Sequence, residues 1–94
     1  MAIFQVTPLA DNYTAIKEAL EAHQLDYLEL QNTMGFLVSF HETSFELSNK
    51  LGITNTETGR GELGSALVTL VGSYYGMGNT YMWEWIKSRL ERNT

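Results

Sequence analysis

Residues 26–52 read DYLELQNTMGFLVSFHETSFELSNKLG, and this stretch decides the fold class. Within 26–31, leucines alternate with polar side chains, as expected of a half-buried strand with a period of two. A turn at 32–33 and a second apolar run at 34–41 follow. Together they predict a β-hairpin.

The end of the same stretch predicts a helix over residues 44–51. Thr43 stands at the N-cap position and Glu46 follows three residues later, which is the capping-box pattern. Gly52 is placed to end the helix, because glycine readily adopts the left-handed backbone found there. We expect this helix to bury Phe45, Leu47 or Leu51.

The residues before the hairpin predict one strand and one helix. Residues 2–9 are rich in β-forming side chains, and the run stops at Pro8, which cannot donate to a central ladder. Apolar side chains then recur at helical spacing over 12–23, with Asp11 or Asn12 as the cap.

After the second helix, residues 53–64 are polar and glycine-bearing and predict a loop. Residues 65–72 are apolar almost throughout, as in a central strand covered on both faces. A second glycine-bearing loop at 73–78 leads to a helix over 80–92. We expect that last helix to place two side chains in the core, Trp85 and Ile86.

The predicted order is β-α-β-β-α-β with an additional C-terminal helix. It favours an α+β, ferredoxin-like single domain over residues 1–94, with two helices on one face of a four-stranded antiparallel sheet. The opposite face of the sheet also needs a cover. Either the C-terminal helix or a second copy of the chain would supply it.

The composition disfavours binding to duplex nucleic acid and association with a membrane. The 94 residues include 11 acidic and 6 basic side chains, a net charge of −5, which disfavours binding to duplex nucleic acid. There is no cysteine, and no apolar run approaches the roughly 20 residues that span a bilayer. The N-terminal residues show no features of an export signal. We therefore expect a cytoplasmic protein that does not bind membranes.

Three phrases carry a family resemblance: NYTAIKEALEAH, MGFLVSFHETSFELSNKL and ALVTLVGSYYGMGNTYMWEWIKSRLE. They resemble the SinR-like group, small relatives of the CRISPR adaptation endoribonuclease subunit with a double-split βαβ fold. In that group an aromatic-glycine segment follows the fourth strand, as residues 74–78 do here. A Trp-Leu-Lys-like helix closes the chain, matched by residues 85–87. The resemblance implies a ferredoxin-like fold and a homodimer.

The nuclease relatives carry an aspartate near the end of the first strand as a metal ligand. This chain has VTPL at 6–9 instead, and its nearest carboxylate, Asp11, is a candidate helix cap. The resemblance therefore carries over no catalytic residue. A metal-dependent nuclease would have to recruit Asp11, with Glu57 or Glu62, as oxygen ligands.

Other catalytic patterns are missing from the sequence. The two histidines, His23 and His41, lie outside any metal-ligand spacing. None of the serines stands in a nucleophile-elbow motif, among them Ser39, Ser44, Ser65 and Ser73. We expect no enzyme activity, no cofactor and no metal.

Two regions suit a ligand. Within the loop 54–65, hydroxyls, glycine backbone groups and a guanidinium have the chemistry of a phosphate-binding nest. The residues of this first region are Thr56, Thr58, Gly59, Arg60 and Gly61. The alternative for this region is an ordinary surface connection.

The second region combines aromatic rings with an amide, which suits stacking on a base and reading its edge. Its residues are Tyr74, Tyr75, Asn79 and Tyr81. The alternative for this region is a hydrophobic seal or a dimer contact.

Together these features predict a non-catalytic, homo-oligomeric binding protein for a small nucleotide-type ligand, such as a cyclic nucleotide captured by a viral counter-defence sponge. A protein-interaction or inhibitor module that docks a basic partner is the first alternative. A metal-dependent nuclease is the second.

Overall fold

The computed structural model describes residues 2–31, 34–72 and 80–90. In chain order its elements are β1 (Ala2–Pro8), α1 (Tyr13–Ala22), β2 (Asp26–Glu29), β3 (Phe36–Phe40), α2 (Ser44–Leu51), β4 (Ala66–Leu70) and α3 (Thr80–Leu90). The described strands and helices begin and end within two residues of the predicted bounds, except that the predicted end of the last helix at residue 92 lies outside the described residues. The predicted turn at 32–33 and loop at 73–78 lie outside the described residues.

The four described strands form one antiparallel sheet in the order β2-β3-β1-β4. The central strand β1 pairs with β3 on one side, Phe4 opposite Val38, and with β4 on the other, Phe4 opposite Leu70. β2 and β3 pair as the predicted hairpin, with Leu28 opposite Leu37. This α+β arrangement of one sheet and three helices is compatible with a ferredoxin-like fold.

One face of the sheet packs against α1 and α2 and forms the larger part of the core. Alternate residues of the two inner strands point to this face, Phe4 and Val6 from β1 and the aromatic ends of β3. Burying each such side chain stabilises the fold by roughly 1.5–3 kcal/mol. The buried members of this layer are Phe4, Val6, Ile16, Leu20, Phe36, Val38, Phe40, Leu47, Leu51 and Ile53.

The opposite face of the sheet packs against α3. Ile3 and Leu37 point to that face and meet Trp85 and Ile86, both of which are buried as predicted. The Arg89 guanidinium fixes the helix end by donating two hydrogen bonds to the Asp26 carboxylate on β2, at 2.8 and 3.0 Å. Of the two covers expected for this face, the C-terminal helix is the one described. No helix among residues 2–31, 34–72 and 80–90 is long and apolar enough to cross a membrane.

The prediction that residues 65–72 form a central strand is wrong. β4 is at the end of the strand order and pairs only with β1 among the described strands. Two of its leucines are largely exposed, Leu67 at 52% and Leu70 at 61%. An apolar run cannot by itself distinguish a central strand from an edge strand.

Helix α2 begins and ends as predicted. The Thr43 hydroxyl accepts a hydrogen bond from the Glu46 backbone N–H at 3.1 Å, and Gly52 ends the helix in the left-handed conformation, φ 90°. Leu47 and Leu51 are buried, whereas Phe45 is 60% exposed. The helix therefore buries two of the three apolar side chains that were candidates.

Helix α1 begins at the predicted position but without the predicted cap. Asn12 occupies the N-cap position, yet its side chain makes no capping hydrogen bond. Its amide nitrogen instead donates to the carbonyl oxygens of Leu63 and Ser65, at 3.0 and 3.1 Å. Asp11 is exposed. The Asn12 side chain, which was expected to accept a hydrogen bond from the first turn of α1, instead binds the backbone just before β4.

A polar cluster joins α1 to β2. The Tyr13 hydroxyl donates a hydrogen bond to the Glu29 carboxylate, and the Lys17 ammonium lies 3.4 Å from the same group. Tyr13 also stacks on Phe36, with ring centroids 4.8 Å apart. Burial, and then the bond to Glu29, raises the pKa of Tyr13 to about 12. The same bond, with help from Lys17, lowers the pKa of Glu29.

Replacing the α2 cap provides a test of this helix start. Thr43→Ala removes the acceptor for the Glu46 N–H and should lower the free energy of unfolding by about 1 kcal/mol. Urea unfolding followed by circular dichroism measures the change. Thr14→Ala, an exposed threonine inside α1, is the control and should change stability much less.

The Tyr13–Glu29 cluster predicts a stability change at alkaline pH. Because the folded-state pKa of Tyr13 lies near 12 rather than 10.0, its contribution is complete below pH 10 and declines as pH rises towards 12. Tyr13→Phe should therefore be less stable than the parent at neutral pH, and the difference should shrink over that window. Urea unfolding at successive pH values tests this, with Tyr81→Phe as control. A difference independent of pH would contradict the assignment.

Candidate functional site

The loop of residues 52–65 is held in shape by its own backbone. The Gly61 N–H donates to the Ile53 carbonyl at 3.0 Å, and the Leu63 N–H donates to the Gly52 carbonyl at 3.1 Å. A Cβ atom on Gly61 would lie 1.9 Å from the Gly52 carbonyl oxygen, so only glycine fits there. The two ends of the loop are thus joined by backbone contacts.

The tip of the loop is a turn organised by Asn55. Its side-chain oxygen accepts hydrogen bonds from the backbone N–H groups of Glu57 and Thr58, at 2.8 and 3.3 Å. The Gly59 N–H donates to the Asn55 carbonyl at 2.6 Å. This is the geometry of an Asx turn, in which a short polar side chain replaces a backbone acceptor.

These bonds correct one part of the predicted phosphate nest. A nest needs backbone N–H groups directed at the anion. Here the N–H groups of Thr58, Gly59 and Gly61 are donated within the loop. The Thr58 hydroxyl is also engaged, since it donates to the Arg60 carbonyl at 2.9 Å. The loop glycines shape the turn, and their amides do not face a ligand.

Arg60 retains its predicted chemistry. Its side chain is exposed, and within the described residues its guanidinium makes no hydrogen bond or ion pair. A guanidinium presents several N–H donors in a planar fork that matches a phosphate or carboxylate. Within the loop, the group whose chemistry suits an anion is therefore this one side chain rather than the backbone.

Several clefts border the loop, among them a small one of about 280 Å³ lined by Asn49 and residues 54–57, and the two larger ones that follow. The first, of about 480 Å³, lies between α2, the loop and β4, and Phe45, Thr56 and Val68 are among its lining residues. The second, of about 430 Å³, is lined by Arg60 together with Leu9 and the start of β4. Thr54 and Gly59 line both clefts, so the same part of the loop borders each of them.

The wall between the clefts is stiffened by a hydroxyl network. Thr54 donates to the Asn49 side-chain oxygen at 2.5 Å, and its hydroxyl lies 2.9 Å from that of the buried Ser48. Both partners belong to α2, so the network joins the helix end to the loop. A ligand in either cleft would meet a surface already fixed by hydrogen bonds.

Phe45 is the aromatic residue beside the loop, and the sequence did not single it out as a ligand contact. From the sequence, every apolar side chain of α2 was a core candidate, and the two faces of the helix were not distinguished. The buried positions are Leu47, Ser48 and Leu51, which form one face at i, i+1 and i+4. Phe45 does not lie on that face. This spacing was the available signal for its exposure.

The second predicted region is described only at one residue. Tyr81 is 66% exposed in the first turn of α3, and Tyr74, Tyr75 and Asn79 lie outside the described residues. Tyr81 follows the C-terminal end of β4, whereas Arg60 precedes its N-terminal end. The five residues of β4 separate these ends by about 17 Å. Tyr81 lines neither of the two clefts described above.

The histidine and serine side chains considered as catalytic candidates lie on different elements of the fold. His41 is exposed and lies 3.3 Å from the carboxylate of its neighbour Glu42, and His23 is exposed at the end of α1. Ser39 is buried beneath α3, and its hydroxyl has no partner among the described residues. No group of three or more histidine, aspartate or glutamate side chains in that part of the chain is placed to hold a metal ion.

Comparisons of the chain with protein-family models, with curated proteins and with solved structures find no match. The resemblance to the SinR-like group therefore stays a prediction.

The close approach of Gly61 to Gly52 predicts a position that tolerates no side chain. Gly61→Ala should lower the free energy of unfolding by roughly 1–3 kcal/mol, because its methyl group would collide with a backbone oxygen. Gly72→Ala is the matched control, since a Cβ there meets nothing within 4 Å. Urea unfolding of both variants checks this. Equal stabilities would contradict the described loop path.

Proposed function

We propose that this protein is a non-catalytic, homo-oligomeric binding protein that captures a small nucleotide-type ligand at the loop of residues 52–65. The observation that carries the proposal is the exposed guanidinium of Arg60, which makes no bond within the described residues and lines a cleft. In a chain of net charge −5, an uncommitted cation beside a cleft is a local attraction for an anion.

The two clefts supply different parts of a nucleotide site. Arg60 suits a phosphate because its fork donates two parallel hydrogen bonds to phosphate oxygens. On the other side of the loop, the exposed ring of Phe45 suits stacking on a base, and the nearby Thr56 offers a hydroxyl. A ligand that uses both sides must cross the wall at Thr54 and Gly59. An extended or cyclic nucleotide is long enough for such a path.

The fold, the family relation, the cellular location and the biological role are part of the same proposal. The strand order β2-β3-β1-β4 with antiparallel ladders supports a ferredoxin-like fold. We further propose a relation to the SinR-like group, a cytoplasmic location, and a counter-defence role in which a viral protein sequesters a cyclic nucleotide signal. The motif departure at residues 6–9 is why binding, and not nuclease chemistry, is proposed.

The alternative function is a protein-interaction module. Three exposed apolar side chains favour it: Phe45 on α2 and Leu70 on β4, which lie on the same side of the sheet, and Leu67 on the other side. In that case the acidic surface would attract a basic partner protein.

A thermal-shift screen with cyclic mono-, di- and trinucleotides tests the proposed function, since a ligand that binds only the folded state raises the melting temperature. For the nucleotide class that binds, Arg60→Ala should weaken affinity by about 10-fold to 100-fold, the range of one charge-assisted hydrogen-bonded contact. Isothermal titration calorimetry measures the affinity.

Lys50→Ala is the matched control, because it removes the same charge from an exposed position on α2 that lines neither cleft. It should bind as the parent does. If every nucleotide leaves the melting temperature unchanged, the proposal fails and the protein-interaction alternative gains. If Lys50→Ala and Arg60→Ala weaken binding equally, the effect is one of net charge and not of the Arg60 site.

A further inference from the structure

Among the described strands, β4 is an edge strand, and one row of its backbone N–H and C=O groups faces away from β1. Two hydrogen bonds at the ends of the β1–β4 pair show which backbone groups of β4 point towards β1. The Leu9 N–H donates to the Ser65 carbonyl, and the Val71 N–H donates to the Ile3 carbonyl. Because hydrogen-bonded and non-hydrogen-bonded positions alternate along an antiparallel pair, the odd-numbered residues face β1. The N–H and C=O groups of Ala66, Val68 and Leu70 point away from it and make no hydrogen bond within the described residues.

The two edges of the sheet are built differently. On β2, Asp26 pairs with Arg89 and Glu29 pairs with Lys17, so the strand carries charge at both ends. β4, with the sequence ALVTL, carries no charge, no proline and no glycine. Natural proteins protect free edges with charges, prolines, bulges or a covering element. The β2 edge has the first of these devices, and the β4 edge has neither charge nor proline.

We infer that the β4 edge is the contact between two copies of this chain, paired antiparallel about a two-fold axis at Val68. A two-fold axis there places Val68 opposite its own copy and Ala66 opposite Leu70 of the second copy. All three outward-facing residues then form hydrogen-bonded pairs, each exchanging two bonds. On the other face of the sheet, Leu67 would meet Thr69 of the second copy.

A second copy fits this edge better than an unrelated strand for three reasons. The edge is self-complementary, since the small Ala66 lies opposite the large Leu70 and the five residues of β4 carry no charge. Phe45 is exposed on α2 and lines the same cleft as Val68, so the paired strand of the second copy would border that cleft. Pairing would also cover part of the Leu70 side chain, which a single chain leaves 61% exposed.

Pairing also fixes the relation between the two ligand loops. In this register Ser65 of one copy lies beside Val71 of the other, so the two Arg60 loops are about 20 Å apart at opposite ends of the β4 pair. Each Arg60 cleft would lie near the C-terminal end of β4 in the second copy. The dimer therefore has two separate sites, each bordered by both chains.

Sedimentation equilibrium without any nucleotide tests the interface, over protein concentrations from about 1 µM to about 1 mM. The parent should form a dimer, and added salt should strengthen it, because two chains of net charge −5 repel each other at low ionic strength. Leu70→Lys should be monomeric, because it places a charge without an ion-pair partner against Ala66 at each end of the β4 pair. Met34→Lys is the control, an equally exposed position (64%) that β1 separates from β4.

Because the chain contains no cysteine, a single introduced thiol gives a second measurement that does not depend on Leu70→Lys folding. Val68→Cys places two thiols on Cα atoms about 5.5 Å apart, within the range that a disulfide spans. It should cross-link on mild oxidation, and Met34→Cys should not.

A parent that stays monomeric at the highest concentration overturns the inference. So does a dimer that persists unchanged in folded Leu70→Lys, or equal cross-linking of the two cysteine variants. A monomeric parent would also remove the homo-oligomeric part of the proposed function. Since no nucleotide enters these experiments, it would leave ligand capture at the loop standing, and the failure of the nucleotide screen leaves the interface standing.

Discussion

The structure depends on the burial of β3 on both of its faces. Phe36, Val38 and Phe40 point to α1 and α2, and Leu37 points to α3. No two-layer arrangement can bury both sets, because successive side chains of a strand leave opposite sides of the sheet. The third layer, the short helix α3, is therefore as necessary to the fold as the two crossover helices. The Asp26–Arg89 pair and the Trp85 ring, which lies 4.4 Å from the Arg89 guanidinium carbon, hold that layer in position.

Most of this architecture was predictable from local patterns. The capping box at Thr43, the glycine after α2 and the alternation in residues 26–31 each depend on a few neighbouring residues, and each gave the right element. The position of β4 in the sheet was not predictable in the same way. Strand order is decided by contacts between distant residues, and an apolar pentapeptide has the same pattern in the centre of a sheet as at its edge.

The sequence indicated which residues the candidate loop contains better than it indicated how their backbone groups are arranged. The sequence correctly placed a polar, glycine-bearing loop before the last strand and a guanidinium within it. It could not show that the loop amides are consumed by Asn55 and by the backbone of residues 52–53, because the partner of an N–H depends on the path of the chain. The role of Asn12 was missed for a similar reason. A residue type that favours helix caps also suits any nearby pair of carbonyl groups, and here the pair lies more than fifty residues away.

The pairing of β1 with β4 has a consequence for the order of events during synthesis. β1 is made first and can pair with β3 once about forty residues are available, but its other edge waits for a strand whose residues begin at Ala66. Contacts between residues so far apart in sequence form slowly, since a long stretch of chain must close before the contact stabilises anything. When synthesis has reached α2, β1 is therefore still unpaired on the side that β4 will occupy, although β1 is a central strand of the finished sheet. The interval before β4 emerges is the stage at which the chain is most exposed to wrong pairing.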